Sequence, residues 1–240
     1  MSTNIQLVVF DMAGTTIQDH NEVESCFNQA MEQTGLITTH DEINAMMGWS
    51  KISVFDTLWR KKCPQLSEEE IDVLISNSYS KFKVILENHY RTQEVNPTEG
   101  TLELLSFLKE RGVKIALTTG FYREVTDIIL SRLGWDTDFD IHHCGNKLIN
   151  VSMASDEVRL GRPAPYMLFR AMEYCGVTDV KKVVKIGDTP SDLAEGKNAG
   201  CLYSCGITNG THTEAELSNY DNDGLFKNMY DFKAFLETVL

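Results

Sequence analysis

A chain of 240 residues, 42% of them hydrophobic, is long enough to bury a full core and to carry a second, smaller unit. Its formal net charge of −13 disfavours nucleic acid and anionic membrane as partners, so any hold on an anionic ligand must be local. No basic-then-apolar leader precedes the first apolar run and no apolar stretch is long enough to span a membrane. The six cysteines (Cys26, Cys63, Cys144, Cys175, Cys201, Cys205) form no disulfide framework, and together these features predict a reduced, cytoplasmic protein.

The first predicted element is a strand. Leu7-Val8-Val9-Phe10 is a short apolar run, the pattern of a strand buried on both faces of a parallel sheet. It ends at Asp11, followed by Ala13-Gly14 and the hydroxyls of Thr15 and Thr16. Ligands of open α/β sheets sit beyond the carboxyl ends of the strands, so Asp11 stands where chemistry is expected. Taken alone, it could equally be an aspartate that caps the turn. Residues 19–93 then lose the strand pattern. They predict helices over 22–32, ending near Gly35; over 41–46, with Asp41 as N-cap; and over 50–60. A longer helix runs from Ser67 toward His89, with Ser67 and Glu70 at capping-box spacing. This all-helical stretch divides the chain into a core, 1–18 and 94–240, and an insertion, 19–93, with linkers near 16–20 and 92–97.

From Pro97 a βαβα alternation returns. It predicts a helix over 101–111, a strand over 113–117 ending at Thr118-Thr119-Gly120, and a helix over 122–133 stopped by Gly134. A strand end is expected at 138–141, irregular structure over 142–160, and a loop Gly161-Arg162-Pro163. A helix over 165–174 ends at Gly176, and a strand over 183–186 leads into Gly187-Asp188. A helix over 190–198 carries Asp192, a strand follows over 201–206, and a C-terminal helix over 231–240 covers one sheet face. The predicted fold is α/β, a doubly wound, mostly parallel sheet with an inserted all-helical unit. His142-His143-Cys144, and Cys201 with Cys205, read as structural rather than as metal sites.

Asp11, the Thr118-Thr119 hydroxyls, the single cation of the 161–165 loop, Asp188 and Asp192 together make the set that phosphoryl transfer needs: a nucleophile, oxyanion donors, a fixed positive charge and oxygen ligands for a hard divalent ion. The four stretches, in this order, resemble the motifs of the haloacid dehalogenase superfamily, and the resemblance covers nearly the whole chain. It implies a Rossmann-like core, a mobile helical cap formed by 19–93, and a Mg2+-dependent hydrolase working through an aspartyl phosphate. Asp11 would be the nucleophile. Asp11, the Ala13 carbonyl and Asp188 would hold Mg2+, and Asp192 would orient a metal-bound water. Thr119, preferred over Thr118, and the Gly120 N–H would bind phosphoryl oxygens. Arg162 stands where lysine is usual.

Most phosphatases of that superfamily carry a second Asp two residues after the nucleophile as general acid, and here that position is Ala13. General acid catalysis is worth about 100–10,000-fold, so its loss handicaps ester hydrolysis. Asp-x-Ala-Gly-Thr-Thr at 11–16 is instead similar to the phosphonoacetaldehyde hydrolase (phosphonatase) and phosphonatase-like family. Met47-Gly48-Trp49-Ser50-Lys51 matches that family's Met-Gly-x-x-Lys element and puts Lys51 at its Schiff-base position. Gly48 and Trp49 become substrate-binding candidates, Trp49 as a substrate wall or a contact between insertion and core. The sequence departs from the family at Met12, where tryptophan is usual, and at Val54, where a histidine is. The resemblance implies a small phosphonate such as phosphonoacetaldehyde as substrate. A small-molecule phosphomonoester, as for a phosphoglycolate phosphatase, is the alternative, and a non-catalytic binding protein the remote one. A helical cap also admits a homodimer.

Overall fold

The computed structural model describes residues 5–135 and 148–240. Six strands form its sheet: β1 (Leu7–Phe10), β2 (Lys114–Thr119), β3 (Val151–Ala154), β4 (Val183–Gly187), β5 (Tyr203–Ile207) and β6 (Leu225–Phe226). They are ordered β3-β2-β1-β4-β5-β6, and every pairing is parallel. The order is that of a doubly wound sheet, whose crevice lies where the winding reverses, at the central strand. Phe10 is in register with Leu117 on one side and Ile186 on the other. The next residue of each strand, Asp11, Thr118 and Gly187, therefore reaches the same edge of the sheet.

Helices cover both faces, which is why β1 is apolar throughout and buried at every residue. They are α1 (Glu22–Thr34), α2 (His40–Asn44), α3 (Lys51–Lys62), α4 (Glu68–Thr92), α5 (Thr101–Glu110), α6 (Arg123–Leu133), α7 (Tyr166–Cys175), α8 (Pro190–Ala199), α9 (Glu214–Leu217) and α10 (Met229–Val239). Side chains alternate across a strand. Leu7 and Val9 thus pack with Met167 and Leu168 of α7, while Val8 and Phe10 join the opposite cluster. There Phe10 meets Phe232 of α10 edge-on at 6.3 Å, so the C-terminal helix does cover one face.

Helices α1 to α4 occupy the chain between β1 and α5. Phe27, Phe55 and Phe82 form their own aromatic centre, with ring centroids 4.3 to 5.7 Å apart. The two linkers run side by side: Gln18 N–H donates to the Asn96 carbonyl at 2.9 Å, and Thr98 N–H to the Thr16 carbonyl at 3.0 Å. Among the described residues no helix is long and apolar enough to cross a membrane.

Two expectations are corrected. The N-cap of α2 is Thr39, not Asp41; Thr39 and Glu42 form a capping box, and Asp41 lies in the first turn, where a carboxylate still favours the helix dipole. Part of 142–160 is regular, since β3 and a 3-10 turn, Ser155–Glu157, fall in it. With only two large apolar side chains, β3 carries too weak a pattern to read. α9 and β6, of four and two residues, are too short for any periodicity. The expected strand end at 138–141 and the His142-His143-Cys144 group lie outside the described residues. Cys205 lies inside β5, and burial pushes the thiols of Cys201 and Cys205 up.

Candidate active site

Asp11 emerges at the end of β1 with its N–H bonded to the Ile186 carbonyl of β4, so its carboxylate is fixed at the crevice of the sheet. The chain then folds into a tight turn in which the N–H groups of Thr15, Thr16 and Ile17 all donate to the Met12 carbonyl. Among the described residues nothing donates to the Ala13 carbonyl, which stays available as a ligand. Asp188 leaves β4 beside this turn. It accepts from the Thr15 hydroxyl at 3.0 Å and from the Thr211 N–H at 2.7 Å. Asp192 lies one turn into α8, buried, with Thr189 Oγ1 donating to it at 2.6 Å. One carboxylate oxygen from each of Asp11, Asp188 and Asp192 lies within 4.8 Å of the others.

Arg162 binds this group from the loop before α7. Its Nη2 donates to Asp11 Oδ1 at 2.5 Å and to the Thr118 carbonyl at 2.5 Å, and Nη1 lies 2.6 Å from Asp192 Oδ1. Two further charged residues, fully buried, complete the cluster: Lys185 Nζ is 2.8 Å from Asp192 Oδ1 and 3.3 Å from Glu195 Oε2. Burial pushes the Asp11 carboxyl up to about 7; the Asp192 and Asp188 charges add to the shift, and Arg162 opposes it. Asp188 is pushed up to about 6 by burial and by Asp192. Asp192 goes the other way: burial would raise it, but Arg162 and Lys185 hold it below the ordinary carboxylate range.

Four buried carboxylates, Asp11, Asp188, Asp192 and Glu195, thus face two buried cations, Arg162 and Lys185. When all four ionise, their negative charge exceeds that of Arg162 and Lys185 in a low-dielectric site, and a buried charge is costly without a partner, which is why Asp11 and Asp188 are pushed up. An all-oxygen donor set with a surplus of negative charge fits a hard divalent cation. The residues present therefore suit Mg2+.

The two threonines part company. Thr118 Oγ1 accepts from Lys185 at 3.1 Å and donates to Glu195 at 3.3 Å, so its hydroxyl is committed to the buried charges. Thr119 Oγ1 accepts from the Phe121 N–H at 3.1 Å, and among the described residues its O–H donates to nothing. Thr119 is the hydroxyl left to meet a ligand.

Lys51 opens α3. Ser50 caps the helix, and Lys51 sits in its first turn, where the helix dipole disfavours a cation. Its side chain is 5% exposed, and Nζ lies 5.0 Å from the centroid of Phe121 and 5.6 Å from that of Phe27. Burial lowers its amine to about 8, with the Asp11 charge opposing the shift. Gly48 and Gly120 are where the insertion meets the core. Gly48 has φ +81, and a Cβ there would run into the hydroxyls of Ser191 and Thr189; a Cβ on Gly120 would meet the Trp49 and Gly48 carbonyls. Trp49 therefore contributes its backbone to this contact. Gly48→Ala is expected to cost about 1–2 kcal/mol from the left-handed backbone alone, read as a lower urea midpoint at unchanged slope.

Every site residue singled out from the sequence is thus drawn to the carboxyl edge of β1, β2 and β4 or to the insertion surface against it. Lys185, Glu195 and Thr211 were not foreseen. Only Lys185 had a signal: a lysine inside the apolar run Val183–Gly187 must be buried with partners.

Residues 5–200 match the family model of the haloacid dehalogenase-like hydrolases. The phosphonoacetaldehyde hydrolase of Bacillus mycoides is 34% identical over 239 residues, covering 90% of this chain and 82% of that protein. That of Bacillus cereus is 31% identical over 236 residues, covering 91% and 83%. Among solved structures, a phosphonoacetaldehyde hydrolase-like protein from Oleispira antarctica superposes with TM-score 0.79 at 18% identity, over 99% of this chain and 94% of that one. A predicted phosphoglycolate phosphatase from Haemophilus somnus does so with TM-score 0.71 at 19% identity, over 99% of each chain. At such identities these two structures speak for the fold.

Proposed function

Because the chain belongs to the haloacid dehalogenase-like hydrolases, an enzyme family, we propose that it cleaves the carbon–phosphorus bond of a small phosphonate such as phosphonoacetaldehyde, with Mg2+ and an aspartyl phosphate on Asp11. The observation that carries this reading is Lys51, a buried amine lowered to about 8 on the helix end that faces the core. An amine must be partly neutral to attack a carbonyl, and desolvation is how a protein makes it so. Residues 19–93 act in this reading as a cap that brings Lys51 to the substrate.

Lys51 attacks the aldehyde carbon and, with loss of water, forms an imine. As the carbon–phosphorus bond breaks, its electron pair passes into the imine to give an enamine, and Asp11 takes the phosphoryl group in line. Thr119 and the Gly120 N–H hold phosphoryl oxygens, and Arg162 neutralises charge developing at phosphorus. Water then hydrolyses the aspartyl phosphate, and the enamine is protonated and hydrolysed to release the aldehyde and free Lys51. Asp11, Asp188 and the Ala13 carbonyl would hold Mg2+, with Asp192 orienting a water; the ion supplies electrostatic stabilisation of the phosphoryl oxygens. Carbon leaving as an enamine needs no general acid at position 13, which suits Ala13.

The test is phosphate release with Mg2+ from phosphonoacetaldehyde beside a panel of small phosphomonoesters, with borohydride added in parallel. Turnover of the phosphonate with inactivation and a label on Lys51 is expected. Ester turnover without trapping would favour a second reading, a small-molecule phosphomonoesterase. Val54 supports that alternative: it is 1% exposed within α3, where the phosphonatase-like family has a histidine.

Mg2+ is expected to raise the melting temperature, and more at pH 8 than at pH 5. The metal needs ionised carboxylates, and at pH 5 protons occupy Asp11 and Asp188, whose pKa values are raised to about 7 and about 6. Thermal melts with and without the ion at the two pH values decide it; an equal shift at both would sink the assignment of these ligands.

A further inference from the structure

Lys185 and Glu195 have no part in the chemistry above, yet both are fully buried beneath it. With Arg162 and Asp192 they close a ring. Arg162 Nη1 is 2.6 Å from Asp192 Oδ1, which is 2.8 Å from Lys185 Nζ. Lys185 Nζ is 3.3 Å from Glu195 Oε2, which is 3.4 Å from Arg162 Nε. The charges alternate around the ring and sum to zero, and all four side chains are 0% exposed.

We propose that Lys185 and Glu195 are positioning residues, whose charges hold the guanidinium of Arg162 by its Nε and Nη1 edge so that Nη2 alone projects to Asp11. The inference rests on the phosphoryl-transfer reading of the site. The ring occupies the two nitrogens remote from the reaction, while Nη2 is left to Asp11 Oδ1 and the Thr118 carbonyl. Arg162 Nε and Nη1 and Asp192 Oδ1 make no aligned hydrogen bond. The ring therefore grips through charge, and its balance matters: without Lys185, the Asp192 and Glu195 carboxylates act on Arg162 with nothing to offset them. Lys185 also donates to Thr118 Oγ1 at 3.1 Å, tying the end of β2 to the same ring. Removing one charge alone leaves a buried partner uncompensated, whereas removing one of each sign does not.

The decisive protein is therefore the double variant Lys185→Met/Glu195→Gln, in which Gln keeps an acceptor for Thr118. The probes are p-nitrophenyl phosphate turnover with Mg2+, and binding of orthovanadate and of inorganic phosphate. The double variant is expected to melt within a few degrees of the wild type. Its kcat should fall by about 100-fold, the scale of an ångström's misplacement of a catalytic group, with KM changed less than about 3-fold. Vanadate affinity should fall with kcat while phosphate affinity holds, because misalignment costs the transition state more than the ground state. A folded double variant with wild-type kcat and vanadate affinity overturns the proposal, leaving the ring as internal charge balance. Should that variant not fold, Glu195→Asp decides, since it keeps the charge balance but draws the carboxylate back from Arg162 Nε: a drop in kcat of about 10-fold at constant KM supports the ring, and wild-type kcat overturns it. Wild-type protein that neither binds nor turns over any of these probes overturns the phosphoryl-transfer reading as well, so the two failures are distinguishable.

Discussion

Replacing Asp11 by Asn is expected to abolish turnover of every phosphonate and phosphate ester, by at least about 10,000-fold, while making the metal-free protein more stable. The first half follows from chemistry. Asn matches the shape of Asp but cannot become an acyl phosphate, and no other carboxylate is free to replace it: Asp192 is paired with Arg162 and Lys185, and Asp188 is held by Thr15 and Thr211. The second half follows from the raised carboxyl. Asp11 is pushed up to about 7, well above the ordinary value of 3.8, mostly by burial. A group whose folded-state pKa is raised favours the fold while protonated and loses that contribution as pH climbs from about 4 through 7. At pH 7.5 the buried charge is a cost, and Asn removes it. Phosphate release and a thermal melt without metal at pH 7.5 check both halves. Appreciable turnover would rule out the covalent route, and a lower melting temperature would show that the Asp11–Arg162 pair outweighs the burial.

Lys51→Arg should separate the two roles open to a cation at the end of α3. Arginine keeps the positive charge but forms no imine, so carbon–phosphorus cleavage should fall by about 1,000-fold or more and borohydride should no longer label the protein. Binding of inorganic phosphate should change by less than about 10-fold, since the charge remains near Asp11. The pH profile offers a second check in the unmodified protein. With its amine lowered to about 8, Lys51 gains its neutral form as pH rises, so phosphonate turnover should climb through pH 7 to 8 and then level. If Lys51→Arg retains phosphonate turnover, Lys51 is a phosphate contact and the imine route fails.

Much of the architecture was legible because its signals are local. The run Leu7–Phe10, the alternation after Pro97, the stops at Gly35, Gly134 and Gly176, and the Ser67–Glu70 capping box each lie within a few residues, and each corresponds to an element found. The weak cases were elements whose stability comes from neighbours rather than from pattern. β3 has two large apolar residues and is held by pairing with β2, from Ala116–Val151 to Thr119–Ala154. The Asp41 cap failed because Thr39 and Glu42 form a reciprocal pair, which satisfies two backbone donors where Asp41 would satisfy one.

By itself, the sequence determined the nucleophile candidate, the carboxylates, the cation of the loop, the missing acid at Ala13 and the lysine of the insertion, because each is carried by a contiguous motif. What only the tertiary structure decided is how these groups feel one another. Arg162 reaches Asp11 across a separation of 151 residues, and Lys185 and Glu195 enter the site only because β4 and α8 bring them under Asp192. The preference for Thr119 over Thr118, implied by the resemblance, gains its physical reason only there, because the buried charges consume the Thr118 hydroxyl. Lys51 acquires a lowered amine from its burial against the core, which its local motif does not record. Residue types are written in the chain, but charge, burial and free hydrogen-bonding capacity are properties of the packed assembly, and these set the chemistry.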